Sequence, residues 1–224
     1  GNPKIWTSLL KQNGITVVHV VSSANFAKKA EDAGVDAIVA EGFEAGGHNG
    51  REETTTLTLI PSVRNVTKLP LMAAGGIGSG EAMLATMILG ADGVQIGSAF
   101  AVAAESSASL AFKQKVTELK EGETMLTLKK LAPVRLIKND FFEKVNLAEA
   151  SGASPEELSL LLGKGRAKKG IFEGDLINGE LEIGQVSAMI SQIQPAREIF
   201  NNLINQYTAA FEQMSHNPKY HFTL

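Results

Sequence analysis

Short apolar runs alternate with helical patterns through the first half of the chain. Four runs rich in β-branched and small apolar residues predict strands at 15–21, 36–40, 71–74 and 93–96. Helical spacing of apolar residues predicts helices at 26–33, at 57–66 with Pro61 near the start, and at 81–89. Strands that are apolar throughout and separated by helices are typical of a parallel sheet or barrel built from βα units.

The second half of the chain has a different pattern. It predicts helices at 106–120, 156–162 and 197–214, a short strand or loop at 124–128, and an internal loop at 133–135. No series of strands continues there. We therefore expect two regions: residues 1–104 with the βα units, and residues 105–224 as a mainly helical extension or lid that packs on them.

Composition narrows the class of protein. With 224 residues, 44% of them apolar and 20% charged, the chain is long enough to fold around a sizeable core. Its net charge of -3 and its scattered lysines and arginines give no basic surface for nucleic acid. The absence of cysteine from the sequence excludes disulfides and thiolate chemistry, and it fits a cytoplasmic setting. No apolar run approaches the ~20 residues that span a bilayer, so we expect neither a membrane nor a nucleic-acid partner.

Two loops that follow predicted strands carry groups suited to an anion. Gly75 and Gly76 follow the third strand, and Gln95, Gly97 and Ser98 follow or end the fourth. In parallel βα architectures the loops at the carboxyl ends of the strands form the ligand site. Glycines allow the backbone to approach phosphate oxygens closely, although glycines after a strand also serve simply as turn formers. The pair of loops predicts a phosphate cradle.

The helix after the third strand supports the same interpretation. We expect its free N–H groups, near residues 79–80, to favour an anion. A dinucleotide-binding Rossmann loop is the competing interpretation. The spacing after Gly76 is not G-x-G-x-x-G, and the next strand ends at Gln95 rather than at a ribose-binding carboxylate, so this competitor is disfavoured.

A histidine follows two glycines just after the second predicted strand. Gly46 and Gly47 leave space beside His48, whose imidazole can donate a proton or a hydrogen bond near neutral pH. A histidine hydrogen-bonded within a polar loop is the structural alternative. The position near the end of a strand, on the rim shared with the phosphate loops, favours a catalytic role.

Other polar residues near this loop are supporting candidates. Glu41 and Glu44 are close enough in sequence to orient His48, to contact a cofactor hydroxyl or to cap a loop, and Ser22 follows the first strand. The remaining histidines are not candidates: His19 lies within the first strand, and His216 and His221 lie in a polar tail. No metal site is expected.

Five segments, in order, resemble the flavin-binding family of nitronate monooxygenases (formerly 2-nitropropane dioxygenases) and enoyl-acyl-carrier-protein reductase II. They are AEGFEAGGHNG, LMAAGGIGSGEAM, LGADGVQIGSAF, PVRLIKN and EGDLINGELEIGQ. The family fold is an FMN-binding TIM barrel, so the resemblance implies that this sequence holds the last four βα units and a helical extension. The N-terminal half of the barrel is then expected outside this sequence. The resemblance also implies that the FMN phosphate is held by Gly75, Gly76, Gln95, Gly97 and Ser98, and that His48, with Gly46 and Gly47, faces the flavin and substrate.

The resemblance leaves two reactions open. An enoyl reductase uses NADH or NADPH to reduce enoyl thioesters through FMN, whereas a nitronate monooxygenase oxidises alkyl nitronates with oxygen. The EGFEAGGH form, the threonines at 54–56 and the PVRLIKN and EGDL segments favour the reductase, and Asn49 stands where monooxygenases often carry arginine. We expect a small-molecule or acyl-carrier-protein-bound substrate, and the resemblance alone implies a homodimer. A phosphate-ligand-binding protein or an inactive fragment is the alternative from another class.

Overall fold

The computed structural model describes residues 1–217 and 219. In chain order, its elements are α1 (Pro3–Gln12), β1 (Val18–Val21), α2 (Ala24–Asp32), β2 (Ala37–Glu41), β3 (Gly47–His48), α3 (Thr56–Arg64), β4 (Leu71–Ala74), α4 (Gly80–Ile88), β5 (Gly93–Gln95), α5 (Ser98–Ala101), α6 (Leu110–Thr117), β6 (Thr124–Thr127), β7 (Val134–Ile137), α7 (Asp140–Ala150), α8 (Pro155–Leu162), α9 (Arg166–Ile171), a 3₁₀ helix (Gln185–Met189) and α10 (Ala196–His216).

The predicted βα units form a four-stranded parallel sheet with the order β1-β2-β4-β5. Ala40 of β2 lies opposite Val21 on one side and Ala73 on the other, so the three carboxyl ends are level. Each strand is added beside the one before it, and the order has no point of reversal of the kind that defines a doubly wound sheet. This order is that of consecutive units of a βα barrel.

Helices α2, α3 and α4 cover one face of the sheet. Ala27 and Ala30 are fully buried, and these small residues allow α2 to pack closely on β1 and β2. Pro61 lies inside α3 rather than near its start, so that prediction is wrong. The helix begins at Thr56 because the carboxylate of Glu44 accepts a hydrogen bond from the Thr56 N–H, at 3.1 Å.

The long helix α10 packs against α4. A Cβ on Gly80 would overlap the α10 backbone at Leu203 and Tyr207, so the two helices meet directly at this glycine. His216 is the last residue of α10, not part of a tail, and His221 lies outside the described residues. At the other end of the sheet, Val18 and Val20 of the edge strand β1 are exposed.

A second, antiparallel sheet with the order β3-β7-β6 lies beside the parallel one. Val134 pairs with His48, and Arg135 pairs with Gly47. The predicted loop at 133–135 is therefore wrong for two of its residues, because a buried arginine interrupts an otherwise apolar strand in which all four residues are buried. The predicted helix 106–120 shortens to α6, whose N-terminus is capped by Ser109.

Candidate functional site

The carboxyl ends of β2, β4 and β5 surround a cavity of about 220 Å³, which we call the glycine cavity. The structure brings together on its wall all five residues that the sequence marks for a phosphate: Gly75, Gly76, Gln95, Gly97 and Ser98. Gly46, which the resemblance places at the flavin with His48, lines the same cavity. Two of the supporting candidates, Glu41 and Glu44, line it as well. The two predicted loops thus meet at one site, although they are separated in sequence by the helix α4.

The backbone geometry of the cavity depends on its glycines. Gly75 and Gly76 have φ angles of +82° and +71°, a left-handed conformation that side-chain-bearing residues rarely adopt. A Cβ on Gly75 would lie 2.6 Å from the carbonyl oxygen of Gly42, so the loop after β4 touches the loop after β2. A Cβ on Gly97 would meet nothing within 4 Å, and this backbone is open to the cavity.

Ser98 has two functions in this geometry. Its Oγ accepts a hydrogen bond from the Gly184 N–H at 3.0 Å, so its own hydroxyl proton is available to a ligand. It is also the first residue of α5, for which Gly97 provides no side-chain cap. The uncapped backbone and the hydroxyl therefore offer donors at the same place.

The N-terminus of α4 does not contribute as expected. The Gly80 N–H donates to Oε1 of Gln206 on α10, at 3.0 Å, and the Ala82 N–H donates to Oγ of Ser79, at 3.3 Å. Because the Gly80 N–H is satisfied within the protein, the prediction that it favours an anion is wrong for this group. Gln206 lies more than a hundred residues away in sequence, so the local pattern around α4 carries no sign of it.

A segment that the local sequence pattern does not place at the site closes the glycine cavity. We call residues 180–186 the strap. The Gln185 N–H donates to the Glu44 carbonyl oxygen at 2.9 Å, and a Cβ on Gly46 would overlap the backbone of Ile183. The motif EGDLINGELEIGQ, which includes all of the strap except Val186, stands out in the sequence only through its resemblance to the family. Its close fit against Gly46 explains why that glycine carries no side chain.

Glu44 holds the loops of the cavity together rather than facing a ligand freely. Its carboxylate accepts hydrogen bonds from the N–H of Thr56, at 3.1 Å to each oxygen. The Thr56 hydroxyl lies 2.8 Å from the carbonyl oxygen of Gly75 and 3.1 Å from Oε2 of Glu44. Buried Thr56 therefore joins the loop after β2 to the loop after β4. The sequence draws attention to the threonines at 54–56 but not to this contact.

A buried guanidinium fixes the middle of the Glu41–His48 loop. Arg135 of β7 is 2% exposed and donates to the Phe43 carbonyl oxygen from Nε, at 3.2 Å, and from Nη2, at 2.9 Å. Its guanidinium also lies 4.8 Å from the centre of the Phe43 ring. Burial lowers the pKa of Arg135, and the carboxylates of Glu44 and Glu53 oppose that change.

His48 lies outside the glycine cavity. It is exposed at the end of β3 and lines a separate cavity of about 710 Å³ along β1, which we call the β1 cavity, together with His19, Ser22, Lys29 and Asn49 among others. Gly47, the residue before it, has a φ of +76°. The side-chain amide of Asn49 donates to the carbonyl oxygens of Ala45 and Gly47, both at 3.0 Å. Asn49 thereby pins the turn that leads to His48.

Burial shifts the pKa of the acidic groups around the site. It raises the pKa of Glu41 at the end of β2 and that of Glu182 in the strap, where the charge of His48 opposes the change. Burial and the nearby charge of Glu182 raise the pKa of Glu180 to about 7, against the effect of Arg166. Carboxyl groups with raised pKa values in a cleft are typical of functional sites.

Two further properties bear on the chemistry. Within the described part of the chain, no three histidine, aspartate or glutamate side chains converge as metal ligands. No helix among residues 1–217 and 219 is both long enough and apolar enough to cross a membrane.

Comparisons with known proteins agree with one another. The family model for nitronate monooxygenase matches residues 2–206. A curated relative, a probable nitronate monooxygenase of Staphylococcus aureus (strain Newman), is 35% identical over 211 residues, which cover 89% of this chain and 58% of the relative. The chain thus spans a little over half the length of the curated relatives that it matches.

Solved structures show the same similarity. FabK from Thermotoga maritima superposes with a TM-score of 0.90 and 34% identity, covering 96% of this chain and 68% of that one. The nitroalkane oxidase of Streptomyces ansochromogenes superposes with a TM-score of 0.76 and 29% identity, covering 94% and 62%. These similarities confirm the predicted fold class, the α/β architecture of part of a TIM barrel.

Proposed function

This chain belongs to the nitronate monooxygenase family, and from that premise we propose that the full-length protein is an FMN-dependent oxidoreductase. The observation that carries the proposal is the glycine cavity. Gly75, Gly76 and Gly97 line it, a Cβ on Gly97 would meet nothing within 4 Å, and the Ser98 hydroxyl retains a proton to donate. Unhindered backbone and a hydroxyl donor, gathered at the carboxyl ends of parallel strands, suit a phosphate group.

The residues present fit FMN. Gly75, Gly76, Gly97 and Ser98 would hold the phosphate, and Gln95 would add an amide at the same end. Burial favours the neutral form of Glu41, so this acid can lie near a phosphate, and the carboxylate of Glu44 accepts hydrogen bonds from Thr56. A neutral Glu41 can donate to a cofactor hydroxyl. When bound, FMN supplies hydride or electron transfer, which no side chain of this protein can provide.

Within the family, we favour an NAD(P)H-dependent enoyl-acyl-carrier-protein reductase that acts on enoyl thioesters. The superposition on FabK, an enoyl-acyl-carrier-protein reductase II, is closer than that on the nitroalkane oxidase. Asn49 further supports this choice, because monooxygenases of the family often carry arginine at this position. The side-chain amide of Asn49 holds the turn before His48 in place. His48 would then donate a proton to the substrate carbanion or stabilise its enolate oxygen.

The alternative is a nitronate monooxygenase that oxidises alkyl nitronates with oxygen. The curated relatives are named probable nitronate monooxygenases, and this observation favours it. In that reaction His48 would bind the anionic substrate or remove a proton from a neutral nitroalkane. A phosphate-ligand-binding protein without turnover is the candidate from another class. We also propose that the substrate is carried by an acyl-carrier protein and that the protein forms a homodimer.

An absorption spectrum of the purified full-length protein separates the flavoenzyme from the binding protein. Flavin bands in the protein fraction, or tight binding of added FMN, support the proposal, and a colourless protein that does not bind FMN overturns it. Anaerobic consumption of NADH or NADPH with a crotonyl thioester then supports the reductase. Oxygen uptake with propionate 3-nitronate, without nicotinamide consumption, supports the monooxygenase instead.

A further inference from the structure

The segment 75–80, which joins the first phosphate loop to α4, has few side chains to hold it in place. Four of its six residues are glycine. Glycine loses more conformational freedom on folding than any other residue, so such a segment is ordered only where the surrounding structure holds it. A loop that is ordered before its ligand arrives binds more tightly than one that must be ordered on binding. The contacts that hold this segment therefore bear on the affinity of the site.

Three contacts hold the first part of the segment. The Thr56 hydroxyl donates to the Gly75 carbonyl oxygen at 2.8 Å. The side chain of Ile77 is 3% exposed and packs in the core between the sheet and its helices. Gly78 lies against the 3₁₀ helix, since a Cβ on it would be 2.9 Å from Sδ of Met189. These contacts reach the fourth residue of the segment and leave the start of α4 to be held from elsewhere.

Gln206 of α10 holds the start of α4. Gly80 is the first residue of α4, so its N–H has no acceptor within the helix. Oε1 of Gln206 accepts this N–H at 3.0 Å. The two backbones are close enough for the bond because a Cβ on Gly80 would lie only 2.1 Å from the Tyr207 nitrogen. The last residue of the segment is thus fixed by a side chain that lies 126 positions further along the chain.

The same helix supports the element that follows the second phosphate loop. Oε2 of Glu105, in the segment after α5, accepts a hydrogen bond from the N–H of Ala196, the first residue of α10, at 2.9 Å. Gln206 lines a small cavity of about 160 Å³ whose wall also includes Gly78 and Ala99 of α5. One helix therefore contacts the elements that follow both loops of the predicted phosphate site.

Gln206 acts on the site through the backbone and not by touching a ligand. It is not among the described residues that line the glycine cavity. The Gly80 N–H that it accepts is the kind of group that an anion binds at the start of a helix. Because Gln206 takes this group, the effect of the hydrogen bond is to hold the segment and not to bind the phosphate.

We propose that Gln206 is a positioning residue for the FMN phosphate, which acts through Gly80 by holding the segment 75–80 in its binding conformation. The inference rests on the proposed function, because it requires that Gly75 and Gly76 hold the phosphate. Riboflavin has the same ring system as FMN but no phosphate, so its binding depends much less on this segment. Gln206 thereby helps the site to select FMN over riboflavin.

The first test measures the hydrogen bond without any flavin. Gln206→Met keeps the length and the helix propensity of the side chain but removes the acceptor, whereas Gln206→Glu keeps an acceptor. In ligand-free full-length protein, amide hydrogen exchange at Gly80 should be about tenfold faster in Gln206→Met than in the wild type, and close to the wild-type rate in Gln206→Glu. Equal exchange at Gly80 in the wild type and Gln206→Met overturns the proposal.

The second test compares two flavins by titration of the full-length apoprotein. Gln206→Met should weaken FMN binding about three- to tenfold, the equivalent of one net hydrogen bond, while the affinity for riboflavin changes less than about twofold. Gln206→Glu should bind FMN more tightly than Gln206→Met. Gln213→Met is the matched control, with the same substitution at an exposed position of the same helix, and it should leave both affinities unchanged.

The outcomes separate this inference from the proposed function. A wild type that binds neither flavin overturns the proposed function and this inference with it. A wild type that binds FMN, together with a Gln206→Met variant that weakens both flavins equally or neither of them, overturns the inference alone and leaves Gln206 with a role in packing only.

Discussion

Ser98 and Gly184 are joined by a hydrogen bond at the wall of the glycine cavity. Ser98 Oγ accepts the Gly184 N–H at 3.0 Å, across a sequence separation of 86 residues. The bond ties the first turn of α5 to the strap. One hydroxyl thus holds the wall of the cavity in place while its own proton stays available to a ligand.

Ser98→Ala should therefore loosen the strap. We expect the free energy of unfolding to fall by about 1–2 kcal/mol, because the partly buried Gly184 N–H loses its acceptor, and FMN should bind more weakly. Urea denaturation and flavin titration of the full-length protein measure the two effects. Ser215→Ala is the control, since that hydroxyl donates to the Phe211 carbonyl oxygen on the exposed face of α10. Equal stability of Ser98→Ala and the wild type would contradict this account.

Gly97→Ala should separate ligand binding from folding. Gly97 has φ −96° and ψ −62°, which alanine adopts without strain, and its Cβ would meet nothing within 4 Å. The free energy of unfolding should stay within about 0.5 kcal/mol, while the added methyl group beside the cavity lowers the affinity for FMN. Gly93→Ala is the matched control on the preceding strand β5, where a Cβ makes an ordinary contact with Met72 at 3.9 Å. If both variants bind FMN like the wild type, Gly97 does not face the cofactor.

Thr56→Val should disturb the two loops that Thr56 connects. Valine has nearly the same shape but cannot donate to the Gly75 carbonyl oxygen or to Glu44, and a loss of about 1–3 kcal/mol in unfolding free energy is expected. Flavin affinity should fall with it, because Gly75 is no longer held. Thr58→Val, two residues along the same helix and exposed, controls for the helix propensity of valine. A variant as stable as Thr58→Val would show that these hydrogen bonds contribute nothing net.

His48→Ala should leave FMN bound while lowering turnover by about two orders of magnitude or more, as for the loss of a general acid. Its exposed side chain and its place outside the glycine cavity make folding and flavin binding insensitive to the change. His216→Ala, at the exposed end of α10, is the control. Unchanged turnover would return His48 to the role of a histidine in a polar loop.

Glu180 should make stability depend on pH. Its pKa rises from the ordinary 4.5 to about 7 in the folded protein, so the folded state binds more protons than the unfolded state between these values. The free energy of unfolding should therefore fall, by roughly 2 kcal/mol, as the pH rises from 4.5 to 7. Glu180→Gln, which mimics the protonated acid, should remove that slope, and Glu121→Gln, on an exposed turn, should not. A slope that persists in Glu180→Gln would assign it to other groups.

The parallel sheet can be predicted from the sequence because its signals are local. Each strand is a short apolar run, and the glycines that follow the strands mark turns at their carboxyl ends. These signals suffice to predict that Gly75, Gly76, Gln95, Gly97 and Ser98 share one site. The strand order follows from the preference of consecutive βα units to lie side by side.

The remainder of the site depends on distant parts of the chain. His48 is directed towards the β1 cavity because β3 pairs with β7, whose apolar run is interrupted by the buried Arg135. The N–H of Gly80 donates to Gln206 of α10, and the strap packs against Gly46 through the backbone of Ile183. No periodicity encodes such contacts, since each depends on a tertiary approach.

The four-segment construction of the glycine cavity has a thermodynamic consequence. Its wall joins the loop after β2, the loop after β4, the start of α5 and the strap, and none of them alone provides the full set of contacts. A ligand held there binds the assembled chain and not the unfolded one, so it adds RT ln(1 + [L]/Kd) to stability, about 2.7 kcal/mol at a hundredfold excess over Kd. The melting temperature would therefore report saturation of the site. On heating, the cofactor would dissociate and the tertiary structure would unfold in a single step.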